Sequence, residues 1–389
     1  MRMGWILLAS ASVLALIAGV AEAATPPAPA TSVELSLSPL PSDAPSSPVT
    51  PVAVTSSRVQ LADAGGDQPA PETPATTPQN QAREARHGAF SILFENDIFF
   101  NTDRDYTSGQ ELAYTTAADD TPEGLVDFVG AMPDWFMSPG EVRASYEIGQ
   151  DIFTPLHTHL VVPLTTERPY AGFLYLGLGL LSRTENHLDQ LEIQVGTTGP
   201  ASLAQDAQSF VHAVLGQTAP AGWHYQLRDE PILQFNYERA FKIIPAQSVA
   251  GLFFDAVPHY GIAVGNAYDF VNAGAMARFG LNLPDDYGPV RMSPTLPGSN
   301  YFEPNGAFSA YVFAGIDGRA IARNIFLDGN SFVASRSVSK DWAVADFEFG
   351  AAIAGDSWRL SFTHVIRTRE YRTQPKSDQF GAINLTFRT

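Results

Sequence analysis

The strongest constraint on this chain is a two-residue period that begins near Ala89 and recurs in about a dozen segments. Phe173, Tyr175, Gly177 and Gly179 fall on one face of an extended segment, while Leu174, Leu176, Leu178 and Leu180 fall on the other. Successive strand side chains point to opposite faces, so this pattern predicts one crowded inner face and one apolar outer face. The same alternation sets Leu191, Ile193 and Val195 against Gln190, Glu192 and Gln194. It also sets Leu233, Phe235 and Tyr237 against Gln234, Asn236 and Glu238. Toward the C-terminus, Ala345, Phe347 and Phe349, then Trp358, Leu360 and Phe362, then Ile383, Leu385 and Phe387 repeat it. A soluble sandwich alternates too, so one segment decides little. The series favours a closed all-β, antiparallel transmembrane barrel.

The alternation predicts twelve strands at 88–97, 107–117, 143–154, 170–184, 187–198, 229–242, 248–264, 267–281, 306–323, 335–354, 357–368 and 379–388. Most reach the roughly 9–11 residues that a tilted strand needs to cross a bilayer. An even strand count leaves both ends of the barrel on the periplasmic side. Arg2 and the apolar run Trp5 to Val20, followed by Ala21-Glu22-Ala23, read as a cleaved secretory signal over 1–23. Residues 24–87 form a Pro/Ala/Ser/Thr-rich leader with twelve prolines between Pro26 and Pro78. Such a composition cannot bury enough apolar surface to offset its ordering entropy, so the leader is expected to be disordered in the periplasm. The barrel domain is then 88–389.

With 41 Asp and Glu against 23 Lys and Arg, the formal charge is −18. That balance argues against nucleic acid, whose phosphates demand a basic surface. It favours cations, or anionic partners bridged by cations. The absence of cysteine excludes a disulfide framework, a thiolate metal site and a cysteine nucleophile. Gly177-Leu178-Gly179 is not a nucleotide loop, because no helix or third glycine follows at the needed spacing.

Two segments depart from the strand pattern. Gly199-Pro200 opens, and Gly216 closes, a predicted helix in an extracellular loop. On a helical wheel Leu203, Ala207, Phe210, Val211 and Val214 gather on one side, and Gln205, Gln208 and His212 lie opposite. His212 is therefore off the apolar face. The second segment is the rim Glu95-Asn96-Asp97, followed by Asp103-Arg104-Asp105. Asn and Asp commonly end strands and solvate turns. They also collect oxygens that suit Ca²⁺, although not at EF-hand spacing.

These regions lie among blocks that resemble the outer-membrane lipid A 3'-O-deacylase family. The blocks are Glu95-Asn96-Asp97, Asp105-Tyr106-Thr107-Ser108-Gly109, Gln150-Asp151-Ile152-Phe153-Thr154-Pro155, Arg168-Pro169-Tyr170-Ala171-Gly172, and Gly199-Pro200 through His212 to Gly222-Trp223 and Gln226-Leu227. They occur in the family's order. The resemblance implies a 12-stranded outer-membrane barrel that hydrolyses an ester of lipid A in a calcium-dependent reaction. The chain is expected to act as a monomer. It places Asn96 and Asp97 at the family's active-site pair, Thr107 at its strand-two hydroxyl and His212 at its general base. A lysine of the family in the loop after the third strand has no counterpart in Leu156-His157-Thr158-His159-Leu160. The acidic total suggests that cations, more than basic residues, hold the phosphorylated lipid.

Ester hydrolysis needs a base for water and an electropositive centre for the oxyanion. A histidine with an ordinary pKa of about 6.5 can be that base. Ca²⁺ at Asn96 and Asp97 would polarise the carbonyl, Gln208 would orient His212, and Thr107 would support the oxyanion. Because neighbouring strand residues face opposite ways, Asn96 and Asp97 can share one site only where the strand ends or bulges. Ser108 as nucleophile is a weaker reading. Two other functions fit the same chain: a calcium-dependent outer-membrane phospholipase, with Ser209 beside His212, and a non-enzymatic porin or structural barrel that binds lipopolysaccharide through cations.

Overall fold

The computed structural model describes residues 87–100, 104–249, 251–289, 291, 300–304 and 306–389. The expected signal segment and nearly all of the leader lie outside them. The chain forms β1 (Ala89–Asn96), β2 (Asp105–Thr115), β3 (Glu141–Thr154), β4 (Ala171–Arg183), β5 (His187–Thr198), β6 (Glu230–Phe241) and β7 (Ile244–Val249). It continues as β8 (Leu252–Gly265), β9 (Tyr268–Leu281), β10 (Ser309–Asn324), β11 (Ala343–Ala354), β12 (Trp358–Arg367) and β13 (Asp378–Arg388). Sequence neighbours pair antiparallel, and β1 closes the ring on β13 from Ala89↔Arg388 to Asn96↔Gly381. Both β6 and β7 pair with β8, so they are two runs of one wall strand broken at Lys242 and Ile243. The wall is a closed 12-stranded antiparallel barrel. Pro245 lacks a ladder N–H, and the pairing shifts register between Ile244 and Gln247.

The alternation resolves as expected. Leu176, Val195, Leu233, Phe235, Val312, Phe347, Phe349, Phe362 and Phe387 are exposed on the outer face, where a lipid-facing band belongs. Phe173 and Tyr175 are buried inside. A Cβ at Gly177 would fall 2.8 Å from Glu147 Oε2 and 3.3 Å from Glu192 Oε1. The small residues of β4 thus make room for lumen carboxylates.

Much of the acidity is spent in that lumen. Arg367 and Arg319 converge on Asp346 at 2.8 Å, and Arg278 holds Asp255 and Asp286. Arg291, on the connection between β9 and β10, reaches Glu95 at 2.9 Å and also pairs with Glu348. Glu303 of the same connection holds Arg143 at 2.9 Å and Arg388 at 3.4 Å. Charges buried this deeply persist only when paired. An interior crossed by them is unlike an open pore.

Three departures from the sequence reading have local causes. Residues 335–342 alternate like a strand but form a loop: Val338 N–H donates to Leu327 O, Lys340 Nζ to Asp328 Oδ1 and Arg336 Nη2 to Pro163 O. Their polar groups find partners off the ladder, and β11 starts only at Ala343. Residues 244–249, read mostly as a turn, are strand. Two helices were not expected, α1 (Glu123–Gly130) and α3 (Ile325–Asp328). Helix α1 and its loop cover the outer face of β3 and β4 near the chain's ends, with Val129 and Met137 packed on Val142, Ala144 and Leu180.

Candidate active site

At the barrel end away from Ala89 and Arg388, β1 stops at Asn96 and a 3-10 turn runs Asp97–Phe100. Asn96 Oδ1 accepts from Ile98 N–H at 2.7 Å, and Asp97 Oδ2 accepts from Arg104 N–H at 2.7 Å. These two bonds make the turn: each carboxamide or carboxylate caps the backbone that leaves the strand. The condition for both residues to serve one site is met, since the strand ends between them. Both are buried.

Across the sheet, Asn96 is opposite Ser108. One residue earlier, Thr107 is the bulged residue where the β2–β3 register shifts between Tyr106 and Ser108. Its Oγ1 lies 2.7 Å from Thr154 Oγ1 at the end of β3. The bulge follows Asp105, a fully buried residue with φ +62°. A non-glycine residue in this region is strained and persists only where its surroundings hold it. Tyr371 O–H donates to Asp105 Oδ1 at 3.0 Å, and Tyr106 N–H donates to Asp378 Oδ2 at 3.2 Å.

The loop helix is α2 (Ala204–Val214). It is entered through Gly199 at φ +83° and Leu203 at φ +60°. Gln150 Nε2 of β3 donates to Ser202 O at 2.6 Å, fixing the turn before the helix. The helix packs on β3 and β4, with Ala204 beside Ile152, Tyr170 and Trp223.

Its buried stripe is Ala204, Gln208 and His212. This inverts the wheel reading, in which Gln208 and His212 lay opposite the side expected to pack. Val214 and Leu215 are exposed instead. An amphipathic helix normally buries its apolar stripe, so a helix that turns its polar stripe inward does so for the groups on it. His212 Nδ1 lies 2.8 Å from Thr218 O. A carbonyl can only accept, so the neutral ring carries its proton on Nδ1 and Nε2 is the proton-accepting nitrogen. Gln208, expected to orient the ring, lies on the same buried stripe, and its Oε1 accepts Trp223 Nε1–H at 2.8 Å.

The five predicted residues thus occupy one end of the barrel in two groups: Asn96, Asp97 and Thr107 at the tops of β1 and β2, Gln208 and His212 on a helix over β3 and β4. Thr154 and the β3–β4 packing link the groups. Residues not assigned from sequence are Thr154, Thr218, Tyr170 and Trp223, although Thr154, Tyr170 and Trp223 stand in the similar blocks. Tyr170 packs on Trp223 at 4.9 Å. Ser108 is buried in the strand.

For a cation, the donors at Asn96 and Asp97 are oxygens, which suits Ca²⁺ in kind. In number they fall short of the six to eight it usually takes. Among the described residues no group of three or more His, Cys, Asp or Glu gathers for a metal. Water or substrate oxygens would have to complete the set.

A family model described as outer membrane protein LpxR matches residues 69–389. Among solved structures, LpxR from Salmonella typhimurium is similar at 20% sequence identity and a TM-score of 0.63, covering 77% of this chain and 99% of that one. The β domain of the Bordetella autotransporter BrkA is far less similar, at 8% identity and a TM-score of 0.38 over 78% of this chain and 100% of that one. No curated protein sequence matches.

Proposed function

The chain belongs to the LpxR outer membrane protein family, and on that premise we propose that it is a carboxylic ester hydrolase that removes the 3'-linked acyl chain of lipid A at the outer leaflet. The observation that carries the reading is the inverted burial of α2, which turns His212 into the protein with its tautomer fixed by Thr218 O. In the proposed reaction His212 Nε2 takes a proton from water as the water oxygen attacks the ester carbonyl. The imidazolium then returns that proton to the departing sugar oxygen. With Thr154 as donor, one of the two directions open to this hydroxyl pair, the Thr107 O–H would be left to donate to the developing oxyanion, a contact realised only as charge develops. Trp223 and Gln208 hold the helix face on which the base sits.

Asn96 and Asp97 would hold Ca²⁺, which when bound supplies positive charge to the ester carbonyl.

The test is mass spectrometry of lipid A from cells expressing wild type or His212→Ala. Wild type is expected to yield 3'-deacylated lipid A, and the variant to insert normally and leave it fully acylated, a loss of at least about 10²-fold. Chelation with EDTA is expected to stop the purified enzyme in detergent. Unmodified lipid A with the wild type would sink the deacylase reading, and turnover surviving EDTA would remove calcium from it.

A further inference from the structure

The loop between β12 and β13, residues 368–377, crosses the barrel's upper end. Tyr371 O–H reaches Asp105 at 3.0 Å on β2, Arg372 N–H donates to Ser339 O at 2.9 Å, and Thr373 Oγ1–H donates to Thr166 O at 2.5 Å. That last bond ties it to the β3–β4 loop, where the family's lysine has no counterpart.

Its charges divide by direction. Glu370 turns inward and accepts from the fully buried Arg168 at 3.0 Å. Arg369, Arg372 and Lys376 turn outward and are exposed. Among the described residues their side chains make no hydrogen bond, ion pair or ring contact. Three other cations at this end are spent, Arg104 on Asp105, Arg336 on Pro163 O and the Tyr225 ring, and Lys340 on Asp328, while Arg228 of the β5–β6 loop is exposed. In a chain of charge −18, three uncompensated cations in one ten-residue loop form a local basic rim. Arg369 also lines an open depression of about 590 Å³ on the outer wall with Asp341, the exposed Trp342 and the small residues Gly318, Ala320, Ala343 and Ala345.

We propose that Arg369, Arg372 and Lys376 form a docking rim for the phosphate groups of lipid A. This rests on the deacylase reading for its purpose and on charge complementarity for its chemistry. A basic rim beside an apolar wall fits an anionic headgroup whose acyl chains lie in the bilayer. Guanidinium groups match phosphate oxygens with paired donors. The negative total of the chain is no obstacle, because many of the carboxylates are paired with arginines in the lumen.

The test uses full-length protein in detergent with bisphosphorylated lipid A and the same lipid stripped of its phosphates. Binding and fatty-acid release are measured on each. The triple variant R369Q/R372Q/K376Q is expected to bind phosphorylated lipid A roughly tenfold more weakly, three exposed pairs of modest strength acting together. Its KM rises accordingly, with kcat kept and binding of the stripped lipid unchanged. Equal affinity of variant and wild type for phosphorylated lipid A overturns the rim, as does an equal loss for both lipids. Competition by phosphatidylglycerol vesicles as strong as by lipid A overturns the choice of ligand. A wild type that shows the phosphate-dependent binding but releases no fatty acid supports the rim and sinks the deacylase reading alone.

Discussion

Gly172→Ala perturbs the site without touching a group assigned to chemistry. Gly172 opens β4 beneath the start of α2, and a Cβ there would lie closer than 3.0 Å to both Ser202 Oγ and Ala204 Cβ. Carbon atoms pack at about 3.5–4.0 Å, so the helix start must retreat by roughly 1 Å. Ser202 cannot simply swing away, because its Oγ–H donates to Gly199 O at 2.6 Å while its carbonyl accepts from Gln150. Overpacking of this kind costs about 1–3 kcal/mol, which a closed barrel wall tolerates. The displacement matters more, since misplacing a catalytic group by about 1 Å can cost on the order of 10²-fold in rate. Gly172→Ala is therefore expected to give normally inserted, heat-modifiable barrel with about 10²-fold slower release of fatty acid from lipid A, read as kcat in detergent. A variant that keeps the wild-type kcat would refute the argument that α2 positions the base by close packing on β4.

Three other perturbations probe separate parts of the molecule. Trp223→Phe removes the bond to Gln208 Oε1, worth about 1 kcal/mol net, and is expected to lower kcat several-fold with KM unchanged; a change in KM alone would contradict a supporting role. Glu370→Gln leaves the fully buried Arg168 without its carboxylate, which typically costs about 3–5 kcal/mol; a thermal midpoint equal to wild type would show that the pair does not compensate that charge. At the opposite end, burial alone would raise the carboxyl of Asp285, but Lys242 and Arg183 together hold it below its ordinary value. Its contribution is present above the ordinary carboxylate range and is lost as pH falls through the depressed value. Asp285→Asn should therefore narrow the difference in melting between neutral and acid pH, and an unchanged difference would argue against the pairing.

The barrel was legible because its rule is local: a period of two survives in sequence whatever the strands pair with, and Leu176, Phe235 and Phe349 emerged on the predicted face. Strand ends were less legible where polar groups can be satisfied off the ladder, as at Val338 and Lys340. The site was legible in its residue types and in the end of β1 at Asn96. Its arrangement was not. A helical wheel ranks faces by apolarity, so it could not see that Gln208 and His212 would meet Trp223 and the Thr218 carbonyl, groups supplied by the returning loop. Total charge misled for a similar reason: it sums Glu348 and Asp346, whose partners are Arg291, Arg319 and Arg367 in the lumen, with loop residues that face water.

The pairing of β1 with β13 is the one seam of the wall that joins segments almost 300 residues apart, since the other strand neighbours follow one another along the chain. Such a contact forms late, because its loop-closure entropy must be overcome before it is rewarded. Asn96 gains Gly381 as its second cross-strand partner only when that seam shuts. The rim that begins at Asn96 therefore depends on that seam: with the sheet open, Asn96 has only Ser108 across from it and the site is unfinished.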